Sequence, residues 1–193
     1  MLICVTNRKN CKDDYLSRIS QLAKGKPHAI MLREKDLGLT EYEYLASKVN
    51  EICNLHDVTL MINNNITTAT KLKLKNIHLS LSDLRLYKSE VSELTFGASV
   101  HSVPEAKEAQ ALGASYIIAG HIFSTDCKKG VPPRGLSFLK EVCASVTIPV
   151  FAIGGITKDK IEDIKKTGAK GVCVMSESMT CTNPVNLTND FRF

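Results

Sequence analysis

His121 follows a short apolar run, Tyr116–Ala119, in the polar stretch Gly120-His121-Ile122-Phe123-Ser124-Thr125-Asp126-Cys127-Lys128-Lys129-Gly130. An imidazole titrates near about 6.5 and gives or takes a proton at neutral pH, so His121 is the candidate acid/base residue. The bland alternative is a histidine bonded to a neighbouring carbonyl. Cys127 has little beyond Lys128 to favour its thiolate and reads as an ordinary thiol. Arg33 and Lys35 follow the run Ala29–Leu32. Alternation along an extended chain places them on one side, where two cations could meet one anionic group, unless they simply solvate a strand end. The stretches Asn63-Asn64-Asn65 and Ser80-Leu81-Ser82-Asp83 offer amide and carboxylate oxygens to a hard cation. Equally, Asp83 suits a helix N-cap before Leu84, and asparagine runs form turns. Ser99, His101 and Ser102 end another run. The pair Gly154-Gly155 lets backbone N–H groups approach an oxyanion, a helix N-terminus beyond would add its dipole, and Ser176-Glu177-Ser178 ends a further run.

These groups all stand directly after apolar runs of four to six residues, and the runs alternate with stretches of helical spacing. That alternation is the signature of βαβ units around a parallel sheet. The expected strands are Leu2–Thr6, Ala29–Leu32, Thr59–Ile62, Ile77–Leu79, Thr95–Ser99, Tyr116–Ala119, Val150–Ala152 and Val172–Met175. Helices are expected over Glu41–Ile52, Val103–Leu112, Leu136–Cys143 and Lys158–Lys166, beginning near Thr40, Ser102 and Thr157. Eight strands favour a closed (β/α)8 TIM barrel over an open doubly wound sheet, and no GxGxxG turn follows the first strand. We expect an α/β fold with residues 1–193 as a single barrel domain, short loops and a reduced C-terminal helix starting at Asn183-Pro184. In such a barrel the active site lies at the C-terminal strand ends, and phosphate commonly binds after strands seven and eight, here Gly154, Gly155 and Ser176.

Composition narrows the function classes. The chain has 193 residues, is 44% hydrophobic and 23% charged, and its net charge of +5 is scattered rather than gathered on a basic run. With no Trp and 6% aromatics, it lacks the basic, aromatic-studded face of a nucleic-acid binder. None of the seven cysteines has CxxC spacing, so neither a zinc site nor a disulfide framework is indicated. No apolar stretch approaches the roughly 20 residues of a membrane span, and a cytoplasmic protein is expected. The expected partner is a small-molecule phosphate, with no nucleic acid, no membrane and a homo-oligomer as the default assembly.

Several motifs match one family in order and spacing. Met31-Leu32-Arg33-Glu34-Lys35, His78-Leu79, Gly97-Ala98-Ser99-Val100-His101-Ser102 with Glu105-Ala106, and Ala152-Ile153-Gly154-Gly155-Ile156 resemble the segments of thiamine phosphate synthases and the related thiazole tautomerases over nearly the whole chain. The resemblance implies a barrel that handles a thiazole phosphate. The synthase joins a pyrimidine diphosphate to that phosphate using magnesium; its pattern carries over at Arg33, Lys35, Asn63, Asp83, Ser99, Thr125 and Lys128. It departs at Asn64, Asn65, Met31 and Leu81, which stand where the synthase has Asp, Arg, Gln and Gln. The loop from Gly120 to Gly130, followed by Arg134-Gly135, resembles the tautomerase form, in which the histidine here numbered 121 transfers the proton and the synthase has proline. Glu177 departs from both, where the family has a small residue beside the phosphate.

The resemblance therefore implies a thiazole tautomerase with His121 catalytic and no metal or other cofactor. Substrate would be held by Arg33, Lys35, Asn63, Ser99, Thr125, Lys128, Gly154, Gly155 and Ser176. The alternatives are a thiamine phosphate synthase with Mg2+ on Asp83, and a non-catalytic thiazole-phosphate-binding regulatory protein.

Overall fold

In a computed structural model, which describes residues 1–128 and 130–193, eight parallel strands close into a barrel in sequence order. They are β1 (Leu2–Val5), β2 (Ala29–Leu32), β3 (Thr59–Asn63), β4 (Asn76–Ser80), β5 (Thr95–Val100), β6 (Tyr116–Gly120), β7 (Val150–Ile153) and β8 (Gly171–Val174). The helices are α1 (Tyr15–Lys24), α2 (Leu39–Leu55), α3 (Ile66–Lys71), α4 (Leu81–Tyr87), α5 (Val103–Ala111), α6 (Gly135–Ser145), α7 (Ile161–Lys165), α8 (Ser176–Thr180) and α9 (Leu187–Asp190). The fold expected from the alternation of apolar runs is the fold observed. The chain's contacts fall into two compact units, Met1–Ile77 with Val174–Arg192, and His78–Cys173 with Phe193.

In the first unit, Cys4 lies opposite Ile30 and Ile30 opposite Leu60. Every residue of β1 and β2 is buried, as expected of parallel strands covered on both faces. The Asp14 carboxylate caps α1 by accepting from the Ser17 N–H at 2.8 Å. Its inner face buries Ile19, Leu22 and Ala23, and also Arg18, whose guanidinium donates to the Cys181 carbonyl at 2.6 Å and pairs with Asp13. A sequence reading that starts α2 near Thr40 is two residues late: Gly38 is the cap, and its N–H donates to Glu41 at 3.2 Å. The C-terminal helix is indeed short, and Asn183 accepts from the Asn186 N–H at 3.3 Å where the turn begins.

In the second unit, β5 to β8 continue the parallel register, with Ala98 opposite Ile117, Ile117 opposite Val150 and Phe151 opposite Gly171. Ser102 caps α5 as expected, accepting from the Glu105 N–H at 3.2 Å, while Glu105 reaches back to the His101 N–H. Asp83 is not the cap of α4. Ser80 is, because its Oγ accepts from the Asp83 N–H at 3.1 Å, and its hydroxyl donates to the Asp83 carboxylate at 2.6 Å. Thr157 stands at a cap position without a side-chain cap bond, before the 3-10 turn Lys158–Lys160 that leads into α7. Tyr116 stacks on His78 and meets Phe151 edge-on, with centroids 5.6 and 5.8 Å apart. No helix among the described residues is long and apolar enough to cross a membrane.

Candidate active site

A carboxylate is buried at the ends of β1 and β2. Glu34 is 3% exposed. Burying such a group is costly unless donors replace its water. Here Thr6 Oγ1 donates to Oε1 at 2.7 Å, the Arg8 N–H reaches both oxygens at 3.0 Å, and the Tyr15 hydroxyl donates at 3.3 Å. Burial first, and then the charge of Glu34, raise the Tyr15 phenol above its ordinary range, so it remains a donor. Thr6 also accepts from the Arg33 N–H at 3.0 Å and so ties the network to the residue before Glu34. Sequence reasoning passed over Glu34. Alternation would set this carboxylate on the side opposite Lys35, yet both line one cavity, because the strand has already ended at Leu32.

The two cations separate. Lys35 lines a cavity of about 310 Å³ with Glu34, Leu37, Tyr42 and Asn63 to Asn65. Arg33 instead places Nη1 at 3.8 Å from the sulfur of Met175. Lys35 and Asn63, both expected at the site, thus share one cavity. Asn64 adopts a left-handed φ of 58°, which asparagine tolerates, and Asn65 caps α3 by accepting from the Thr68 N–H at 3.0 Å. Ser176 is exposed at the first position of α8, followed by half-buried Glu177.

In the second unit a buried polar chain spans three adjacent strands. His78 Nε2 lies 2.8 Å from Ser99 Oγ, and its Nδ1 lies 3.2 Å from the Tyr116 hydroxyl. Burial pushes the His78 imidazole down to about 3, so it is neutral in the physiological range. Ser99, an expected binding residue, is therefore held from below by a histidine that sequence reasoning treated only as part of a motif.

His121 sits directly after β6 and is 5% exposed. Its Nε2 lies 3.2 Å from the Val131 carbonyl, so the bland expectation of a carbonyl-bonded histidine holds geometrically. The chain returning after Val131 runs back along the strand end: the Arg134 N–H donates to the His121 carbonyl and the Gly135 N–H to the Ile122 carbonyl, both at 3.0 Å. His101, at the end of β5, places Nδ1 2.7 Å from the Gly120 carbonyl. Thr125 and Lys128 lie on one turn, where the Lys128 N–H donates to the Thr125 carbonyl at 3.1 Å.

Gly154 and Gly155 are required by close approach. Both have positive φ, at 103° and 61°. A Cβ on Gly154 would stand 2.3 Å from His121 Cβ, and one on Gly155 would stand 2.2 Å from the Ser124 carbonyl oxygen. The missing side chains let the loop after β7 lie directly on the loop after β6. Lys160 closes the contact, with Nζ 2.7 Å from the Gly155 carbonyl and 4.5 Å from the centre of the Phe123 ring.

Magnesium is the metal the resemblance implies for a synthase, and the donor chemistry does not fit it. Amides occupy the two positions after Asn63, and one of them, Asn65, already serves as a helix cap. The Asp83 carboxylate accepts from Ser80 within its own helix turn. Among the described residues no three His, Cys, Asp or Glu gather into a group able to hold a metal ion.

Fold and strand-end chemistry together define the class, a (β/α)8 barrel with its polar side chains at the C-terminal ends of the strands. The chain belongs to the thiamine monophosphate synthase family, whose model matches residues 2–177. It is 35% identical over 176 residues to the thiamine-phosphate synthase of Fusobacterium nucleatum subsp. nucleatum, covering 89% of this chain and 85% of that one. The thiamine-phosphate synthase of Methanobrevibacter smithii is 33% identical, covering 99% and 95% of the two chains. Among solved structures, the thiamine phosphate pyrophosphorylase from Pyrococcus furiosus superposes with a TM-score of 0.89 at 30% identity, covering 99% and 93%.

Proposed function

We propose that this protein is a thiazole tautomerase, an isomerase that aromatises a carboxythiazole phosphate through His121. The observation that carries this reading is an acid/base side chain directly after β6, seated by Gly154 and by the return of the chain at Arg134 and Gly135. The chemistry is a proton shift, from the ring carbon that bears the carboxylate to the exocyclic carbon. One positioned imidazole meets that requirement with no metal or other cofactor. The phosphate-binding roles of Gly154, Gly155 and Ser176 follow from their places after the seventh and eighth strands. The substrate-binding roles of Arg33, Lys35, Asn63, Ser99, Thr125 and Lys128 rest on strand ends and the resemblance, and Lys35 with Asn63 also on their shared cavity.

The test is to mix the protein with the non-aromatic carboxythiazole phosphate tautomer, without magnesium, and to follow the aromatic absorbance. His121→Asn should lower kcat by at least about a hundredfold while the substrate still binds. A mutant as fast as the wild type would refute the reading. A second reading, the magnesium-dependent transferase, is favoured by the names of the relatives. Pyrophosphate release from a pyrimidine diphosphate and a thiazole phosphate, with magnesium present, would establish it in place of the first.

A further inference from the structure

The geometry around His121 selects one of its two ring nitrogens. The group facing Nε2 is a backbone carbonyl, that of Val131, at 3.2 Å. A carbonyl can only accept, so Nε2 must donate, and a neutral imidazole carries a single N–H. Among the described residues no protein group bonds Nδ1, and Nδ1 is not one of the buried side-chain atoms that lack a partner. It is the nitrogen a bound molecule can meet.

We propose that the Val131 carbonyl holds His121 as the Nε2–H tautomer, so that Nδ1 both takes and returns the proton. This rests on the tautomerase reading of His121. In the first step Nδ1 takes the proton from the ring carbon bearing the carboxylate, and the C–H electron pair moves into the conjugated ring. The imidazolium keeps its Nε2–H on the Val131 oxygen, whose dipole stabilises the new charge. In the second step Nδ1 gives the same proton to the exocyclic carbon, where the displaced electron pair forms the new C–H bond. Histidine ends in its starting tautomer, and no proton or electron is gained or lost overall. His121 therefore begins as a base.

The sequence explains why that carbonyl stays aimed. Pro132 and Pro133 lack N–H groups, have fixed φ, and force the residue before each into extended backbone. The Val131 N–H donates to the Lys128 carbonyl at 3.2 Å, and two bonds from Arg134 and Gly135 pin the far side of the segment to His121 and Ile122. Val131 is 53% exposed, so the position contributes through its carbonyl rather than through packing.

The experiment is long-range 1H–15N correlation NMR on protein labelled with 15N-histidine, with His121→Asn identifying the His121 signals by their loss. A neutral His121 with a protonated Nε2 and a bare Nδ1 is the expected result. An Nδ1–H ring, or an averaged mixture of both forms, would overturn the proposal. A Pro132→Ala/Pro133→Ala variant should turn the single tautomer into a mixture and lower kcat by about tenfold with KM unchanged. A folded variant with the wild-type tautomer and kcat would remove the loop from the mechanism. If the wild type itself lacks tautomerase turnover, the tautomerase reading fails, while the NMR still decides the state of the ring.

Discussion

The two units secure their polar strand ends by opposite means. In the first, the organising group is a buried carboxylate, Glu34, ringed by donors from Thr6, Arg8 and Tyr15. In the second, it is a neutral imidazole, His78, together with bare backbone at Gly154 and Gly155. A network built on an anion tolerates loss of that anion badly, because each donor was desolvated on its account. A network built on neutral groups and close approach has no charge to lose but is sensitive to added volume and to protonation. The contrast yields different failure modes for two regions of one barrel.

The largest effect should come from Glu34→Ala, which strips the partner from three buried or half-buried donors and should cost about 4 kcal/mol in urea denaturation. Glu34→Gln keeps the shape and one acceptor oxygen, so it should cost less, about 2 kcal/mol. A Glu34→Gln protein of wild-type stability would mean that packing rather than charge organises this end. On the other side of the comparison, Gly154→Ala places a Cβ against His121 at a φ of 103° and should cost about 3 kcal/mol. Because the intrusion is against His121, kcat should fall in any variant that still folds. A Gly154→Ala protein of wild-type stability would show that the loops after β6 and β7 yield easily.

Protonation separates the regions next. The His78 imidazole, ordinarily near 6.5, is pushed down to about 3 by burial. As pH falls below about 6.5 the unfolded chain takes up a proton there that the folded chain refuses. The contribution is thus complete above that pH and declines toward pH 3, by up to about 1.4 kcal/mol per unit. Unfolding free energies between about pH 7 and pH 4 should fall more steeply for the wild type than for His78→Gln. Parallel curves would sink the assignment. His28 is also lowered, by its partial burial, and contributes equally to both proteins, so the difference isolates His78.

Most of the barrel was legible in the sequence because parallel strands covered on both faces appear as continuous apolar runs, such as Leu2 to Val5 and Ala29 to Leu32. Ser102 was legible as a cap because its spacing to Glu105 is a local rule, and the same rule applied to Ser80 and Asp83 would have corrected the cap of α4. The site was less legible. That Arg33 turns to Met175 while Lys35 lines a cavity depends on residues 142 positions away from Arg33, and no local pattern carries that information. At the glycine pair the sequence offers only an absent Cβ, and an absent Cβ that admits an oxyanion equally admits the neighbouring loop that lies there. Glu34 was hidden for a different reason, since a carboxylate between two cations suggests surface charge until its donors are brought together by the fold.

The smallest effect concerns Tyr116, whose hydroxyl lies 3.2 Å from His78 Nδ1 while its ring packs on His78 and Phe151. Tyr116→Phe keeps the ring and removes the hydroxyl, so it should cost about 1 kcal/mol, the net worth of one buried hydrogen bond. That number alone would not show that the tyrosine acts through the histidine, because any buried hydroxyl costs something to delete. The double-mutant cycle does. In a His78→Gln background the same Tyr116→Phe change should cost several tenths of a kcal/mol less, and the pH slope lost with His78 should not change further. Equal costs in both backgrounds would break the chain from Tyr116 through His78 to Ser99 into independent parts, and Ser99 would then owe its position to the β5 backbone rather than to the neutral imidazole behind it.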